Sequence, residues 1–292
     1  MIRKIAIIST FFLFFSSCEE NPFSSKSGIP HRKIFGVVNL EGVELYPEGN
    51  HSGIFIWSNQ LGISDLSGAD GSFELELPAA SSPNGGGIVD GVYILYFFMA
   101  NYEVSTVEVT FAGGEILNDD RVIKIDGELR KRIDLKRMVQ INTEVQPSTF
   151  PTDFEEDVKV LINATPDRSD IFFYLKGIEI PRMGTIYSGL LIKDASSGEL
   201  VLSFNPDTAN TIKRVIDKPY REFLINFEVI DDSLGSALPP GSYEAVPYII
   251  VESNDMVPTH LLEALGSDYN EFSEKYFRYP MYRTGGKFTI TE

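Results

Sequence analysis

Ser72-Phe73-Glu74-Leu75-Glu76-Leu77 places apolar residues at every second position, with acidic side chains between them. Successive side chains point to opposite faces of a β-strand, so this period of two predicts a strand with one buried face. Asp70-Gly71 comes shortly before it, and both residues tolerate the positive φ of a tight hairpin turn. The stretch therefore predicts a β-hairpin whose second strand is half buried.

Similar segments extend on either side of this hairpin. Residues 34–38 and 53–57 are rich in β-branched and aromatic side chains, and residues 104–111 alternate again. Residues 92–98 form a nearly continuous apolar run, which is typical of a central strand. Short strands separated by turn residues indicate a sandwich, which we expect to occupy residues 32–137.

The rest of the chain repeats this rhythm. Further strand-like segments follow between residues 158 and 251, and residues 287–291 form another at the end of the sequence. Turn residues separate them, including Pro239-Pro240-Gly241, after which the Tyr243 hydroxyl is expected to form a hydrogen bond near the turn. We predict a second sandwich, Ig- or fibronectin-III-like, over residues 138–292.

One segment departs from the strand pattern. Residues 258–265 predict a short helix that ends at Gly266. Asp268 is expected to cap a second helix over residues 269–278, which stops before Pro280. The predicted fold class is all-β, with two antiparallel Ig-like or prealbumin-like sandwiches in tandem and a short helical insertion near the C-terminus.

The insertion carries an unusual density of aromatic rings. Such rings either pack against a sheet edge or line a shallow surface that binds a sugar or a peptide. Core packing is the expected role. If the rings instead form a binding surface, the candidate ligand-binding residues are Tyr269, Phe272, Tyr276, Tyr279 and Tyr282.

The first residues have the features of an export signal. A basic start, Met1-Ile2-Arg3-Lys4, precedes an apolar run over residues 5–15, and Ser16-Ser17 places two small residues before Cys18. This pattern predicts a signal peptide over residues 1–17. The apolar run is too short to span a bilayer comfortably. Residues 18–31 are polar and rich in serine, which predicts a flexible tether.

Phe15-Ser16-Ser17-Cys18 resembles the lipobox of bacterial lipoproteins, whose usual form is Leu-Ala-Gly-Cys. The resemblance implies cleavage before Cys18, a diacylglycerol on its thiol and acylation of the new amino group. Each buried methylene contributes about 0.8 kcal/mol, so two or three acyl chains hold a protein durably to a membrane. Glu19 and Glu20 resemble surface-export signals of Bacteroidota-type lipoproteins, so we expect a bacterial envelope protein, lipid-anchored in the outer membrane. The alternative is an ordinary signal peptide with an incidental cysteine.

The first predicted sandwich carries a second set of motifs: Gly36-Val37-Val38, Ile54-Phe55-Ile56, Ser64-Asp65, Asp70-Gly71-Ser72-Phe73, Gly91-Val92-Tyr93 and Asn101-Tyr102. Their order resembles that of the carboxypeptidase regulatory-like domain, a seven-stranded prealbumin-like (transthyretin-like) sandwich. Asn101 stands where that family has glycine, and asparagine is the residue that best replaces glycine at positive φ. The resemblance implies a fold and no particular activity.

Charge and cysteine content restrict the partners. The chain has 25 Lys and Arg against 42 Asp and Glu, a net charge of −17. Such a body repels phosphate backbones, so nucleic acid is not an expected partner. It also repels anionic lipids, so membrane attachment depends on the lipid at Cys18. A single cysteine excludes an internal disulfide. The one basic cluster, residues 128–137, is expected to be a solvated strand and linker rather than an anion site.

The sequence shows no catalytic pattern. His31, His51 and His260 lie in a tether, a loop and a helix, without the spacing of metal ligands, and no Gly-x-Ser-x-Gly motif occurs. A carboxylate pair for glycoside hydrolysis stays open, because such a pair is defined only in space. We expect no enzyme, no metal and no cofactor.

The expected function is that of a non-catalytic, membrane-anchored envelope lipoprotein that serves as a spacer or protein-interaction module. The alternative is a surface lipoprotein that binds a glycan or a peptide for an outer-membrane uptake system. An envelope protein or a glycan is the expected partner, and a buried or exposed ring cluster at residues 269–282 would separate the two functions.

Overall fold

The computed structural model describes residues 32–78, 87–218, 221–227, 238–255 and 257–292. The predicted signal peptide, Cys18, the tether and His31 lie outside the described residues. Among the helices of the described ranges, none has the length and apolar character needed to cross a bilayer.

Two sheets form the first sandwich. One has the strand order β4-β1-β8 and the other β3-β2-β5-β6-β7. The strands are β1 (Lys33–Leu40), β2 (Phe55–Ser58), β3 (Ile63–Leu66), β4 (Ser72–Glu76), β5 (Gly91–Phe98), β6 (Ser105–Ala112), β7 (Glu115–Ile116) and β8 (Ile133–Leu135).

The alternation in β4 produces the predicted half-buried strand. Phe73 and Leu75 are buried between the sheets, whereas Glu74 and Glu76 are exposed. The Phe73 ring meets that of Phe97 in the opposite sheet edge-on, with the centroids 5.4 Å apart. Strand β5 is central, as its apolar run predicts, because β2 and β6 pair with its two edges.

The turn at Asp70-Gly71 does not form the predicted hairpin. Strand β3 pairs with β2, whereas β4 pairs with β1 in the other sheet, so the turn carries the chain from one sheet to the other. Gly71 has a φ of +79°, as expected for this turn. The prediction of a hairpin was wrong because the Val38 N–H donates to the Gly71 carbonyl (2.9 Å), which directs β4 onto β1.

The second sandwich has two sheets that continue into each other and a third that faces them. The first sheet has the strand order β10-β21-β18-β14-β15. The second has the order β13-β12-β16, and β19 also pairs with β12. The facing sheet has the order β17-β11-β9-β20. The strands are β9 (Val139–Gln146), β10 (Thr149–Pro151), β11 (Val158–Pro166), β12 (Ile171–Ile180), β13 (Gly184–Ser188), β14 (Leu190–Asp194), β15 (Leu200–Phe204), β16 (Asn210–Ile216), β17 (Arg221–Phe227), β18 (Gly241–Pro247), β19 (Ile249–Ser253), β20 (Thr284–Gly285) and β21 (Lys287–Thr291).

Two neighbouring chain segments cross between the first two of these sheets. Gly189 separates β13 from β14, and Tyr248 separates β18 from β19. The Tyr248 N–H donates to the Gly189 carbonyl at 2.8 Å, so both crossings occur at one corner. The buried core behind this corner includes Phe173, Phe223 and Phe288.

The turn before β18 also follows its prediction. The Tyr243 hydroxyl donates to the Pro239 carbonyl at 2.7 Å, and its ring stacks on that of Phe288.

The structure confirms the predicted fold class. About 52% of the described residues are in strands and 5% are helical, arranged as two sandwiches with a short helical insertion before β20. The pairing is antiparallel except for three pairs within the described ranges, β1 with β8, β10 with β21 and β9 with β20.

The insertion contains less helix than predicted. Helix α1 (Thr259–Ala264) agrees with the first prediction, and Gly266 follows it with a φ of +100°. The predicted helix over residues 269–278 is reduced to a 3-10 helix, Glu274–Arg278, whose cap is the Ser273 hydroxyl rather than Asp268. The Asp268 carboxylate instead forms an ion pair with Lys275 (3.0 Å), and the rings of the segment pack against different partners.

We expect Gly71→Ala to lower the free energy of unfolding by about 3 kcal/mol. A left-handed backbone costs a side chain about 1–2 kcal/mol. In addition, the new Cβ would lie 2.1 Å from the Val38 carbonyl oxygen. Gly62→Ala is the matched control: its φ is +64°, but open space surrounds its Cβ position. Urea unfolding followed by Trp57 fluorescence measures both, and equal losses would contradict the role of the sheet-to-sheet turn.

Candidate functional site

A third cluster of buried side chains lies between the two sandwiches. We call it the joint. It combines residues of β2 and β5 in the first sandwich, residues of β14 and the β18–β19 corner in the second, and the insertion. Its buried members are Phe55, Trp57, Phe98, Ala100, Leu191, Val246, Tyr248, Leu261, Tyr276 and Tyr279. The insertion therefore fills the space between the sandwiches.

Tyr276 is the most buried ring of the insertion, with 0% of its surface exposed. Its hydroxyl donates to the Ile249 carbonyl (2.6 Å) and accepts the Ile249 N–H (2.8 Å). Arg283 donates to the same hydroxyl and to the Pro247 carbonyl, each at 3.2 Å. Pro247 and Ile249 flank the corner between β18 and β19, where the chain leaves one sheet. The two side chains thus supply partners to the backbone on both sides of this corner.

The other rings extend this packing. Tyr279 stacks between Tyr269 and Tyr276, with centroids 5.6 and 6.0 Å apart. Phe272 meets the Tyr248 ring edge-on at 5.7 Å. Tyr282 packs from the insertion against the core of the first sandwich.

The five predicted ligand-binding residues do not form an exposed ring platform. Tyr276 and Tyr279 are buried in the joint, with 0% and 5% of their surfaces exposed. Tyr269, Phe272 and Tyr282 are half-buried, and for them a binding role stays a prediction. Core packing, the role expected from sequence, describes Tyr276 and Tyr279.

Burial changes the acidity of the joint phenols. It raises the pKa of Tyr248 to about 12, with a smaller contribution from neighbouring Tyr276 and Tyr269. Burial also raises the pKa of Tyr279. The protonated Tyr248 hydroxyl donates to the Asn270 carbonyl, a bond that the phenolate cannot form.

Asn101 connects three parts of the chain at the joint. Its amide nitrogen donates to the carbonyls of Val139 (3.1 Å) and Tyr282 (2.9 Å), and its amide oxygen accepts the Tyr282 N–H (3.0 Å). Next to it, the Ala100 N–H donates to the Pro280 carbonyl (2.7 Å). Asn101 itself is only 1% exposed, so its side chain has little access to water.

The expectation that Asn101 has a positive φ was wrong. Among the described residues other than glycine, only Arg182 has a positive φ. Asn101 therefore does not replace glycine for its backbone freedom. Its side-chain amide is required because it both donates and accepts, which glycine cannot do.

Ion pairs form a second connection between the sandwiches. Arg137 contacts Asp167 (2.7 Å), and its backbone N–H donates to the Glu41 carboxylate (3.0 Å). Arg168 pairs with Glu103 (3.2 Å) and also binds Asp170, which lowers the pKa of the Asp170 carboxyl. Four of the five cations of the basic cluster form ion pairs with neighbouring carboxylates, as expected for a solvated strand and linker; they are Arg130, Arg132, Lys136 and Arg137.

A groove of about 320 Å³ opens beside the joint, and we call it the inter-sandwich groove. Its lining comes from the loop before β2, from β14 and β18, and from the end of the insertion. The polar and aromatic residues of its lining are Asn50, Ser52, Lys193, Glu244, Phe277, Arg278, Tyr279, Tyr282 and Arg283. Three cations and one carboxylate thus face a groove on an otherwise acidic chain.

Sequence reasoning missed most of this groove. Tyr279 and Tyr282 line it, but Phe277, Arg278 and Arg283 were not among the candidates. A usable signal was present, since an arginine twice follows a ring, in Phe277-Arg278 and Tyr282-Arg283.

The described histidines have structural or surface positions. His51 is buried, and its Nδ1 accepts the Leu40 N–H at 3.0 Å. His260 is exposed, 3.7 Å from Glu263. Within the described ranges, no three His, Cys, Asp or Glu side chains are grouped so as to hold a metal ion.

The fold and the joint define an all-β protein whose two sandwiches are connected through an aromatic insertion. No family model matches the sequence. No curated protein matches it either. A solved structure with some likeness is the crystal structure of BcpA*(D312A), the major pilin subunit of Bacillus cereus. It is 12% identical, the match covers 75% of this chain and 66% of the pilin chain, and the TM-score is 0.26. At this score the likeness supports no conclusion, and the assignment of the sandwiches depends on the strand pairing alone.

We expect Asn101→Ala to lower the free energy of unfolding by about 2–4 kcal/mol, because it leaves three buried backbone groups without partners. Asn101→Gly tests the backbone explanation directly, and we expect it to be at least as harmful. Asn118→Ala is the control, since Asn118 is exposed. Urea unfolding measures all three, and a neutral Asn101→Gly would show that the amide does not stabilise the joint.

We also expect the joint to weaken at alkaline pH. The unfolded chain loses the Tyr248 proton near pH 10, whereas the folded chain keeps it to about pH 12. The stability that comes from the protonated phenol is complete below pH 10 and declines as the pH rises from 10 towards 12. Urea midpoints measured across this range should fall more steeply for the wild type than for Tyr248→Phe. Parallel declines would exclude Tyr248 as the cause.

Proposed function

We propose that the protein is a non-catalytic, lipid-anchored envelope lipoprotein whose first sandwich is a spacer that holds the second away from the membrane. The anchor is the lipid at Cys18, in the outer membrane, and the tether is residues 18–31. The second sandwich then presents its surface to an envelope partner.

The observation that carries this proposal is the direction of β1. Arg32, just before β1, contacts Glu115 (3.3 Å) at the N-terminal end of the first sandwich. Glu41, just after β1, accepts the Arg137 N–H beside the second sandwich. An eight-residue strand spans about 25 Å. The tether and the second sandwich are therefore attached at opposite ends of one strand.

The N-terminal end of the first sandwich also has a surface suited to a position near lipid. Apolar side chains there are unusually exposed, including Leu117 (52%) and Ile125 (79%). Both lie close in sequence to residues that contact the start of β1. Leu117 follows Ile116, whose side chain lies beside Gly127, and Ile125 comes two positions before Gly127. The Gly127 carbonyl accepts the Phe35 N–H (3.0 Å). A lipid anchor would bring these residues close to the bilayer.

The joint gives the spacer its stiffness. Domains of one chain usually move relative to each other unless their interface is large and hydrophobic. Here the interface contains buried rings, the Asn101 hydrogen bonds and the Arg137 and Arg168 ion pairs. A stiff joint keeps the second sandwich at the far end of β1, about 25 Å from the start of that strand.

We propose that the first sandwich is a carboxypeptidase regulatory-like domain, the family that its sequence motifs resemble. Gly36 lies in β1, Asp70-Gly71 forms a turn before β4, and Gly91 starts β5. The described first sandwich has eight strands where that family has seven. Since many exported proteins carry that module as a spacer or docking unit, the resemblance favours a non-catalytic role.

A second candidate function is capture of a glycan or a peptide for an outer-membrane uptake system. The inter-sandwich groove favours it, because rings and cations line a concavity between the sandwiches.

The anchor is tested by expressing the wild type and Cys18→Ser in a bacterial host and separating membranes with detergent. We expect the wild type in the detergent phase and the variant in the aqueous phase, because only the wild type carries acyl chains. Mass spectrometry of the mature wild type should show an acylated cysteine at its amino terminus. An unmodified thiol would exclude the anchor.

The orientation is tested with the same lipidated protein in vesicles that contain a dansyl-labelled lipid. Trp57, the chain's single tryptophan, lies in the joint and should transfer little energy to the dansyl groups. A Trp57→Phe, Ile125→Trp variant moves the donor to the N-terminal end and should transfer much more. Thermal unfolding checks that both proteins are folded, and equal transfer would contradict the spacer arrangement.

A further inference from the structure

We propose that the inter-sandwich groove binds an anionic oligosaccharide, one whose sugar rings carry carboxylates. The proposal rests on the second candidate function and names its ligand class. It does not depend on the lipid anchor.

The charge of the groove indicates an anionic ligand. Lys193, Arg278 and Arg283 line it against the single carboxylate of Glu244, on a chain with a net charge of −17. Lys193 and Glu244 form an ion pair (3.2 Å) and neutralise each other. Two arginines then remain as the net charge of the groove, and arginine binds carboxylates in a bidentate manner.

The two arginines differ in burial and in the hydrogen bonds that hold them. Arg283 is half-buried, and its guanidinium is fixed by the Pro247 carbonyl and the Tyr276 hydroxyl. A guanidinium has five N–H donors, so donors remain for a ligand after these two bonds. Arg278 is exposed, and its charge adds to that of Lys275 in lowering the pKa of the Asp268 carboxyl. One arginine is thus held by hydrogen bonds inside the protein, and the other is exposed at the surface.

The aromatic lining indicates sugar rings. Phe277 and Tyr282 are both half-buried, so each leaves part of its ring accessible in the groove. The Lys193 ammonium lies over the Phe277 ring, 5.7 Å from its centroid. Aromatic rings are apolar surfaces suited to the C–H faces of a sugar, while Asn50 and Ser52 offer hydrogen-bonding groups at the rim.

Size and backbone geometry favour a saccharide over an acidic peptide. A volume of about 320 Å³ is at the lower end for pockets that hold small molecules, so the groove fits a short part of a chain. Extended peptides commonly bind by pairing with a free strand edge. Lys193 and Glu244 lie in β14 and β18, and both residues already pair on both sides, whereas Leu66 lies in the edge strand β3. At Lys193 and Glu244, the charged residues of these two strands, the groove therefore offers side chains and no strand edge.

The test measures binding of trigalacturonate by isothermal titration calorimetry. The protein is the mature chain from residue 18 with Cys18→Ser, so failure to bind would leave the anchored spacer untouched. We expect trigalacturonate to bind and uncharged maltotriose not to bind. Binding should weaken as salt rises, because an exposed ionic contact is screened.

Variants assign the binding to the groove. We expect Arg278→Gln to weaken binding by about tenfold, the loss of one charged hydrogen bond. Phe277→Ala should weaken it as well, and thermal unfolding checks that this variant is folded. Arg182→Gln is the matched control, because Arg182 is an exposed arginine between β12 and β13, away from the groove.

Three results would overturn the proposal. They are no heat of binding at millimolar trigalacturonate, unchanged affinity in Arg278→Gln, and equal binding of a short polyglutamate that Arg278→Gln also abolishes. The last result would assign the groove to acidic peptides.

Discussion

The structure depends on one buried amide. Asn101, at the end of the first sandwich, holds Val139 at the start of the second and Tyr282 at the end of the insertion. These contacts join residues up to 181 positions apart in the sequence. A buried hydrogen bond adds little net stability, but a buried group left without its partner costs much more. The amide therefore specifies the relative position of three segments, and the rings of the joint then add the apolar burial that stabilises it.

Local patterns were sufficient to predict the fold class. The alternation of Phe73 and Leu75 with glutamates, the apolar run of β5 and the Tyr243 turn each depend on residues close together in sequence. Strands without a strict alternation of apolar and charged residues were not predicted. In β9 (Val139–Gln146) the exposed positions are glutamine and glutamate but Thr143 is buried, so the apolar period is interrupted. The sheet-to-sheet turn at Gly71 was also missed, because turn residues define the turn and not the strand that the next segment selects.

The candidate site was predictable only in part. A concentration of rings in residues 269–282 indicated an important segment, and burial of Tyr276 and Tyr279 agrees with the expected core role. The groove depends on tertiary structure, since Asn50 and Ser52 come from one sandwich and Lys193 and Glu244 from the other. Asn101 shows the same limit. Its residue type was noticed, but the partners that explain it lie on other segments.

The position of β21 has a consequence for how the chain folds. This strand, near the end of the sequence, lies between β10 and β18 rather than at a sheet edge. Both neighbours are made earlier, and until residues 287–291 arrive, each has a row of backbone groups without partners. The second sandwich therefore cannot mature gradually from its amino-terminal side as the ribosome extends it. Its completion waits for β21 to insert, so this unit cannot be complete until residues 287–291 have been synthesised.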